Sequence, residues 1–262
     1  MDATRRLAAA ERAARAGGTV AQRLFRTDLA VETKGDKTDS VTAADRDTQR
    51  RVLEELAALH PEEPVVGEEE EELKELPKRG PAWVVDPIDG TNNYVGGSRE
   101  WATAVAFVED GEPVAAVVEM PALGDTYAAG DGGTTLNGEP CTVSDEADPE
   151  AAQVVLPGFW AQDDRAPMTE LFDQVVTTFG DIKRIGSAQA SLAAVARGHY
   201  EGAVTNVPLH PWDSVAGVHL IREAGGTVTD LSGGPWTHDA EGLVASNGAV
   251  HDDLLDTVGP EP

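Results

Sequence analysis

A short apolar strand running straight into two carboxylates constrains this chain more than any other feature. In Trp83-Val84-Val85-Asp86-Pro87-Ile88-Asp89-Gly90-Thr91-Asn92-Asn93, Trp83-Val84-Val85 predicts a buried strand ended by Asp86-Pro87. The acids Asp86 and Asp89 stand three residues apart, with Pro87 between them to stiffen the loop. Gly90 allows close backbone approach, and Thr91-Asn92 can open a helical turn. Hard divalent cations take clustered oxygen ligands, which carboxylates supply together with charge. A helix N-terminus beside them offers N–H groups to a phosphate. A plain Pro-Asp-Gly turn bearing surface acids is the competing reading, and the apolar strand in front weighs against it.

The rest of the chain predicts two halves with different rhythms. Residues 2–26 read as a helix broken or ended near Gly17-Gly18. After a polar loop at 32–40, residues 41–60 carry Val52, Leu53, Leu56 and Leu59 at helical spacing, and Pro61 stops them. Pro64-Val65-Val66-Gly67 is a short strand running into the glutamates at 68–72. Apolar runs at 102–108 and 113–118 meet at Asp110-Gly111, a strong hairpin signal, and 126–129 with the Asn137-Gly138 turn extends an antiparallel sheet. Beyond the acidic stretch 145–150, strands predicted at 154–156, 182–185, 203–205, 227–229 and 243–245 alternate with helices at 168–179, 188–197 and 214–224. The expectation is an α+β half over 1–145 and an α/β half with a mixed sheet over 146–262, sharing an extensive interface.

Composition narrows the function classes. Acidic residues number 47 against 20 basic ones, of which five are lysines, for a formal charge of −27. A nucleic-acid surface needs a cationic field, so that class is disfavoured. The acid excess reads as a salt-adapted surface of the kind a halophilic host requires. No apolar stretch approaches the length of a membrane span, and Met1-Asp2-Ala3-Thr4-Arg5-Arg6 leads into an Ala/Arg/Glu mixture instead of a signal core. With a single cysteine, Cys141, a cytoplasmic setting is expected. The six histidines show no zinc-type spacing, and no P-loop, dinucleotide fingerprint or Gly-x-Ser-x-Gly elbow is present.

Asp86-Pro87-Ile88-Asp89-Gly90-Thr91-Asn92 resembles the signature of the inositol monophosphatase family, which also includes archaeal fructose-1,6-bisphosphatases and nucleotide phosphatases. Three further stretches resemble the family in its order. Val66-Gly67-Glu68-Glu69 is similar to its Gly-Glu-Glu, which nominates Glu68 and leaves 69–72 as a solvated run. Leu209-His210-Pro211-Trp212-Asp213-Ser214 with Glu223-Ala224-Gly225-Gly226 is similar to its second signature, with Asp213 also expected to cap a helix. Lys34-Gly35-Asp36-Lys37-Thr38-Asp39-Ser40-Val41-Thr42-Ala43-Ala44-Asp45 resembles its first active-site stretch and nominates Asp45, whose simpler role is an acid in a helix's first turn. Ile185-Gly186-Ser187-Ala188 resembles a substrate-facing loop.

The resemblance implies a layered αβαβα sandwich of the sugar-phosphatase type, with an antiparallel N-terminal sheet and a mixed C-terminal one. It implies a lithium-sensitive phosphoric monoester hydrolase that uses two or three Mg²⁺ per subunit and acts as a homodimer. One metal would take Glu68, Asp86 and the Ile88 carbonyl; a second would take Asp86, Asp89 and Asp213; a third, weaker one would sit near Glu68. Thr91, hydrogen-bonded to Asp45, would orient the attacking water, and Glu68 would share the catalytic work. Asp89, Gly90, Thr91, Gly186, Ser187, Ala188, Asn206 and Asp213 would contact substrate. Animal relatives carry Glu where Asn206 stands, and the loop Pro157-Gly158-Phe159-Trp160 is bulkier and more apolar than usual. Myo-inositol 1-phosphate ranks first as substrate, ahead of fructose 1,6-bisphosphate and 3′-phosphoadenosine 5′-phosphate. A protein or RNA interaction module is the non-enzyme alternative, and the intact carboxylates and the −27 charge weigh against it. The salt-adapted surface predicts that folding and activity persist at molar KCl; loss of both there, with good folding in low salt, would contradict it.

Overall fold

The structure, a computed structural model, describes residues 3–27, 31–33, 40–69 and 72–259. Helix α1 (Ala3–Leu24) runs unbroken through Gly17-Gly18, against the expected break. A Cβ at Gly17 would stand 2.5 Å from Val52 Cγ2, and one at Gly18 2.9 Å from Glu119 Cγ and Pro121 Cγ. The two glycines therefore serve close packing, which outweighs their helix-propensity cost of about 1 kcal/mol each. Strands β1 (Val31–Thr33) and β2 (Ser40–Thr42) pair antiparallel; the stretch 34–39 between them, part of the first resemblance, lies outside the described residues. Thr42 then caps α2 (Ala43–Leu59), with Asp45 completing a capping box.

The first sheet follows from its turns. Strands β3 (Val65–Gly67) and β4 (Pro81–Asp89) lead through the short helix α3 (Thr91–Val95) to β5 (Ala102–Glu109), β6 (Glu112–Met120), β7 (Asp125–Gly130), β8 (Gly133–Leu136) and β9 (Glu139–Pro140). Asp110 and Gly111 have φ of 54° and 86°, and Asn137 and Gly138 of 53° and 83°, as a tight hairpin twisted with its strands requires. The seven strands lie in chain order, and the sheet is antiparallel except at β3/β4, which are parallel. That edge corrects the expectation of a purely antiparallel sheet: the chain crosses over between Gly67 and Pro81 instead of turning back in a hairpin.

Strand β4 also does not stop at Asp86-Pro87. Asp86 pairs with Ala104 and Asp89 with Ala102, with a register shift between them. A bulge of one extra residue takes up Pro87, which has no N–H for the ladder, and Thr103 Oγ1 donates to the Pro87 carbonyl at 2.8 Å. The strand therefore carries both acids inside the sheet.

The second half runs β10 (Gln153–Val155), α4 (Ala166–Thr178), β11 (Asp181–Lys183), α5 (Ala188–Ala196), β12 (Gly202–Thr205), α6 (Pro211–Glu223), β13 (Thr227–Thr229), β14 (Leu243–Ser246) and α7 (His251–Val258). Its sheet has the order β11-β10-β12-β14-β13, parallel across the first three strands and antiparallel beyond. Helix α7 was hidden in the sequence by the acids at 252 and 253; its buried face is His251, Leu254 and Val258.

Three apolar interfaces stack the layers. Trp83, Val85, Val105 and Phe107 meet α1 and α2 on one face of the first sheet. Val84, Ala104, Ala106 and Val118 meet α5 and α6 on the other face, and these helices also cover Val155, Ala203 and Ala245 of the second sheet. Helices α4 and α7 close the outer face of that sheet over Val154, Val204 and Val244. The result is the expected αβαβα layering, with α5 and α6 in the middle. Alternation along β4 puts Asp86 on the same face as Val84, toward those central helices. No helix among the described residues is long and apolar enough to cross a membrane.

Candidate active site

Two elements bring three carboxylates together. Asp86 and Asp89 come from either side of the β4 bulge, and Asp213 from the first turn of α6. One oxygen from each lies within 4.8 Å of the others. Asp86 is 1% exposed, and among the described residues neither of its oxygens has a hydrogen-bond partner. Asp89 is the opposite case: it accepts from Ser187 Oγ, from the Ala188 N–H at 3.0 Å and from the Gln189 N–H at 2.7 Å. It thus sits on the N-terminus of α5, where an anion is favoured. The expected capping role of Asp213 is not found. His210 holds the N-cap position, Pro211 opens the helix, and Asp213 is the third helical residue, its N–H donating to the His210 carbonyl at 3.0 Å.

Electrostatics makes this cluster untenable as three free carboxylates. Burial pushes the Asp86 carboxyl well above its usual range, and Glu68, Asp89, Asp213 and Asp45 push it further. Asp89 is also raised by burial, although the Ser187 hydroxyl and the α5 N–H groups offset part of the effect. An unpartnered buried carboxylate among like charges, with oxygen ligands alone around it, fits a hard divalent cation.

Beside the cluster stands a hydroxyl–carboxylate pair. Thr91 Oγ1 lies 3.1 Å from Asp45 Oδ1 and 3.0 Å from the Ile88 carbonyl, and its single proton serves one of them at a time. Asp45 Oδ2 accepts from the Thr42 N–H at 2.8 Å and the Thr42 hydroxyl at 2.7 Å. The first-turn role and the Thr91 partnership of Asp45 therefore coexist, one on each oxygen. Burial raises the Asp45 carboxyl, the Thr42 bonds offset part of this, and the charge of Glu69 adds to it.

Gly90 explains how the halves meet. At φ 86° it adopts a left-handed conformation, and a Cβ there would stand 2.9 Å from Ser187 Cβ and 3.1 Å from the Gly186 carbonyl. Asn93 Nδ2 seals the seam, donating to the carbonyls of Glu100 at 2.7 Å and Ile185 at 2.8 Å.

A cleft of about 810 Å³ opens over these groups, lined by Glu68, Asp86, Ile88, Asp89, Gly90, Thr91 and Asp213, and by Gly186 and Ala188. Two nominated substrate contacts do not line it. Ser187 spends its hydroxyl on Asp89 and on capping α5 through the Ala190 N–H at 3.1 Å. Asn206 accepts from Trp160 Nε1 at 3.1 Å and donates to the Pro167 carbonyl at 2.8 Å. Its amide thus braces the 157–167 loop instead of facing the cleft.

Other lining residues escaped the sequence reading. Lys74 Nζ donates to the carbonyls of Gly67 at 2.7 Å and Glu68 at 2.9 Å. Arg165 and Arg184 also line the cleft, and no motif or spacing marks them; His210, inside the stretch around Asp213, lines it too. Glu69, expected to be solvated, is 6% exposed, its backbone clasped by the Gln49 amide at 2.6 and 3.0 Å. The glutamates at 70 and 71 lie outside the described residues.

These carboxyls have folded-state pKa values above their unfolded value near 3.9. In the metal-free protein their contribution to stability is therefore present below that value and is lost as pH rises through the folded one. In EDTA, the thermal midpoint should fall as pH rises above the unfolded carboxyl value, and Asp86→Asn should flatten that fall. Equal slopes for the two proteins would contradict the assignment of Asp86 as the main destabilising charge.

Comparison with known proteins agrees with this geometry. The chain matches the model of the inositol monophosphatase family over residues 2–259. It is 35% identical over 229 residues to the fructose-1,6-bisphosphatase/inositol-1-monophosphatase of Thermotoga maritima, covering 87% of this chain and 86% of that one. It is 33% identical over 253 residues to the histidinol-phosphatase of Chlorobaculum parvum, covering 96% and 95%. The solved structure of a Thermotoga maritima IMPase superposes with a TM-score of 0.84 at 32% identity, over 94% of both chains. On a family match across nearly the whole chain, this chain belongs to the inositol monophosphatase family and is a phosphoric monoester hydrolase.

Proposed function

We propose that the chain is a Mg²⁺-dependent phosphatase of small polyol or sugar phosphates, working at the Asp86–Asp89–Asp213 centre. The observation that carries this reading is Asp86, a buried carboxylate whose two oxygens have no hydrogen-bond partner among the described residues. Asp86, Asp89 and Asp213, with Glu68 and the Ile88 carbonyl, all lining the same cleft, would hold the cations. A divalent cation held there supplies the charge that polarises the phosphate and lowers the pKa of water. An all-oxygen donor set favours magnesium over zinc.

The remaining steps fall to the chain's own groups. When Thr91 Oγ1 donates to Asp45 Oδ1, its lone pairs are left to accept from the attacking water and orient it for in-line displacement. Asp45 cannot turn away, because Thr42 fixes its other oxygen. The N–H groups that open α3, at Gly90 and Thr91, have no intrahelical acceptor and would receive phosphate oxygens as charge builds. Gly186 and Ala188, which also line the cleft beside Asp89 and Gly90, would border the leaving group. Myo-inositol 1-phosphate and fructose 1,6-bisphosphate both suit a cleft of about 810 Å³.

Phosphate release tests this reading, with inositol 1-phosphate, fructose 1,6-bisphosphate and 3′-phosphoadenosine 5′-phosphate as substrates and Mg²⁺ varied. Asp86→Asn should lower turnover by more than about 100-fold, since even residues that only support a metal ligand cost about 10–100-fold. Thr91→Ala should cost roughly 10²–10⁴-fold, the usual worth of a group that handles the proton. Folded Asp86→Asn protein that keeps most of its activity would refute the metal centre.

A further inference from the structure

Of the acids assigned to the cation centre, one is not carried by a strand or a helix. Asp86 and Asp89 stand on β4, and Asp213 in the first turn of α6. Glu68 is the first residue beyond β3, and it stands outside the group whose oxygens lie within 4.8 Å of one another. It nonetheless belongs to the same centre, since it lines the cleft and its charge acts against that of Asp86. A ligand on a loop serves a metal well only when the loop itself is held.

Three sets of contacts hold this one. At its base the Gly67 N–H donates to the Leu73 carbonyl at 3.1 Å, and the Leu73 N–H to the Val65 carbonyl at 3.2 Å, so the stretch between them closes on itself. On the buried side is Gln49, a fully buried residue of α2. Its Nε2 donates to the Glu69 carbonyl at 2.6 Å, and its Oε1 accepts from the Glu69 N–H at 3.0 Å. A side-chain amide that spends both ends on one residue's backbone fixes the orientation of that backbone. Gly67 leaves room for the amide, since a Cβ there would stand 3.1 Å from Gln49 Oε1. On the exposed side, Lys74 Nζ donates to the carbonyls of Gly67 at 2.7 Å and Glu68 at 2.9 Å. The same ammonium lies 5.6 Å from the centre of the Trp212 ring, within cation–π reach, and Trp212 directly precedes Asp213. Asp45 and Gln49, four residues apart, share one face of α2. One helix therefore carries both the partner of Thr91 and the anchor of the Glu68 loop.

We propose that Gln49 and Lys74 are positioning residues for the cation site: they fix the Glu68 loop against α2 and against the start of α6, and through Glu68 they set the affinity for Mg²⁺. The inference rests on the Mg²⁺-dependent reading above and extends it by naming what presets its outlying ligand. A preset ligand binds more tightly because the loop is ordered at folding and not at binding. For Lys74, geometry and charge pull in opposite directions. Removing a positive charge beside acids favours a bound cation, whereas releasing the Glu68 carbonyl disfavours it. Lys74 is exposed, so solvent and salt screen its charge, and geometry dominates.

Calorimetric titration of Mg²⁺ into the wild-type chain and into Gln49→Met, Lys74→Met and Lys74→Arg tests this, with phosphate release from inositol 1-phosphate followed over the same Mg²⁺ range. Both Met variants should need about tenfold more Mg²⁺ or beyond for half-saturation, the usual cost of losing support for a metal ligand. Their lost activity should return as Mg²⁺ is raised, which a general loosening of the fold would not allow. Lys74→Arg keeps N–H donors for the two carbonyls and should bind Mg²⁺ as the wild type does. The thermal midpoint in EDTA reports whether Gln49→Met folds; if it does not, the exposed Lys74 carries the test. Lys74→Met protein that binds Mg²⁺ as tightly as the wild type or more tightly, or lost activity that Mg²⁺ does not restore, would overturn the inference and leave the phosphatase reading standing. A folded wild-type chain that binds no Mg²⁺ would remove the metal reading and this inference together.

Discussion

Asp89 on the N-terminus of α5 is the contact on which the site depends. Its carboxylate comes from the first sheet, and its donors, Ser187, Ala188 and Gln189, open a helix that also packs on the second sheet. The contact is buried and charge-assisted, so it is short and directional. It forces the β4–α3 loop against the β11–α5 loop so closely that Gly90 admits no side chain. Through it Asp86, Asp89 and Asp213, drawn from both halves of the chain, come within 4.8 Å of one another. Asp89 therefore supports the architecture while contributing an oxygen to the cluster.

Asp86 shows the opposite economy. Asp89 is satisfied by helix N–H groups and Asp45 by Thr42, whereas Asp86 is left with nothing. Its isolation is costly in the metal-free fold, where burial and four neighbouring acids act against its charge. A fold retains such a group when the missing partner arrives with the ligand. Sites tuned this way trade stability for function. Arg165 and Arg184, which carry the opposite sign, also line the cleft.

Much of this was legible in the sequence because the responsible signals are local. Asp110-Gly111 and Asn137-Gly138 specified their turns through the backbone conformations they permit. The Asp86–Thr91 stretch announced its chemistry because strand end, acids and glycine are consecutive. What was missed depends on distant contacts. The helix break expected at Gly17-Gly18 is absent because Val52, Glu119 and Pro121 sit where side chains would be. Strand β4 continues past Pro87 because β5 accommodates a bulge. Asn206 carries a side chain suited to substrate, but Trp160 and Pro167 claim both ends of its amide. Arg165 and Arg184 belong to no motif and become neighbours only when parallel strands align their ends.

The central claim is that the carboxylate cluster joining the two halves, with the buried Asp86 at its centre, is a divalent-cation site. Thermal unfolding followed by calorimetry as Mg²⁺ is titrated tests it most directly, since a ligand that binds only the folded state raises its midpoint. The account predicts one cooperative transition covering both halves, with a midpoint that climbs with Mg²⁺ in the wild-type protein and does not respond in Asp213→Asn. A midpoint indifferent to Mg²⁺, or two separate transitions of which only one responds, would contradict it.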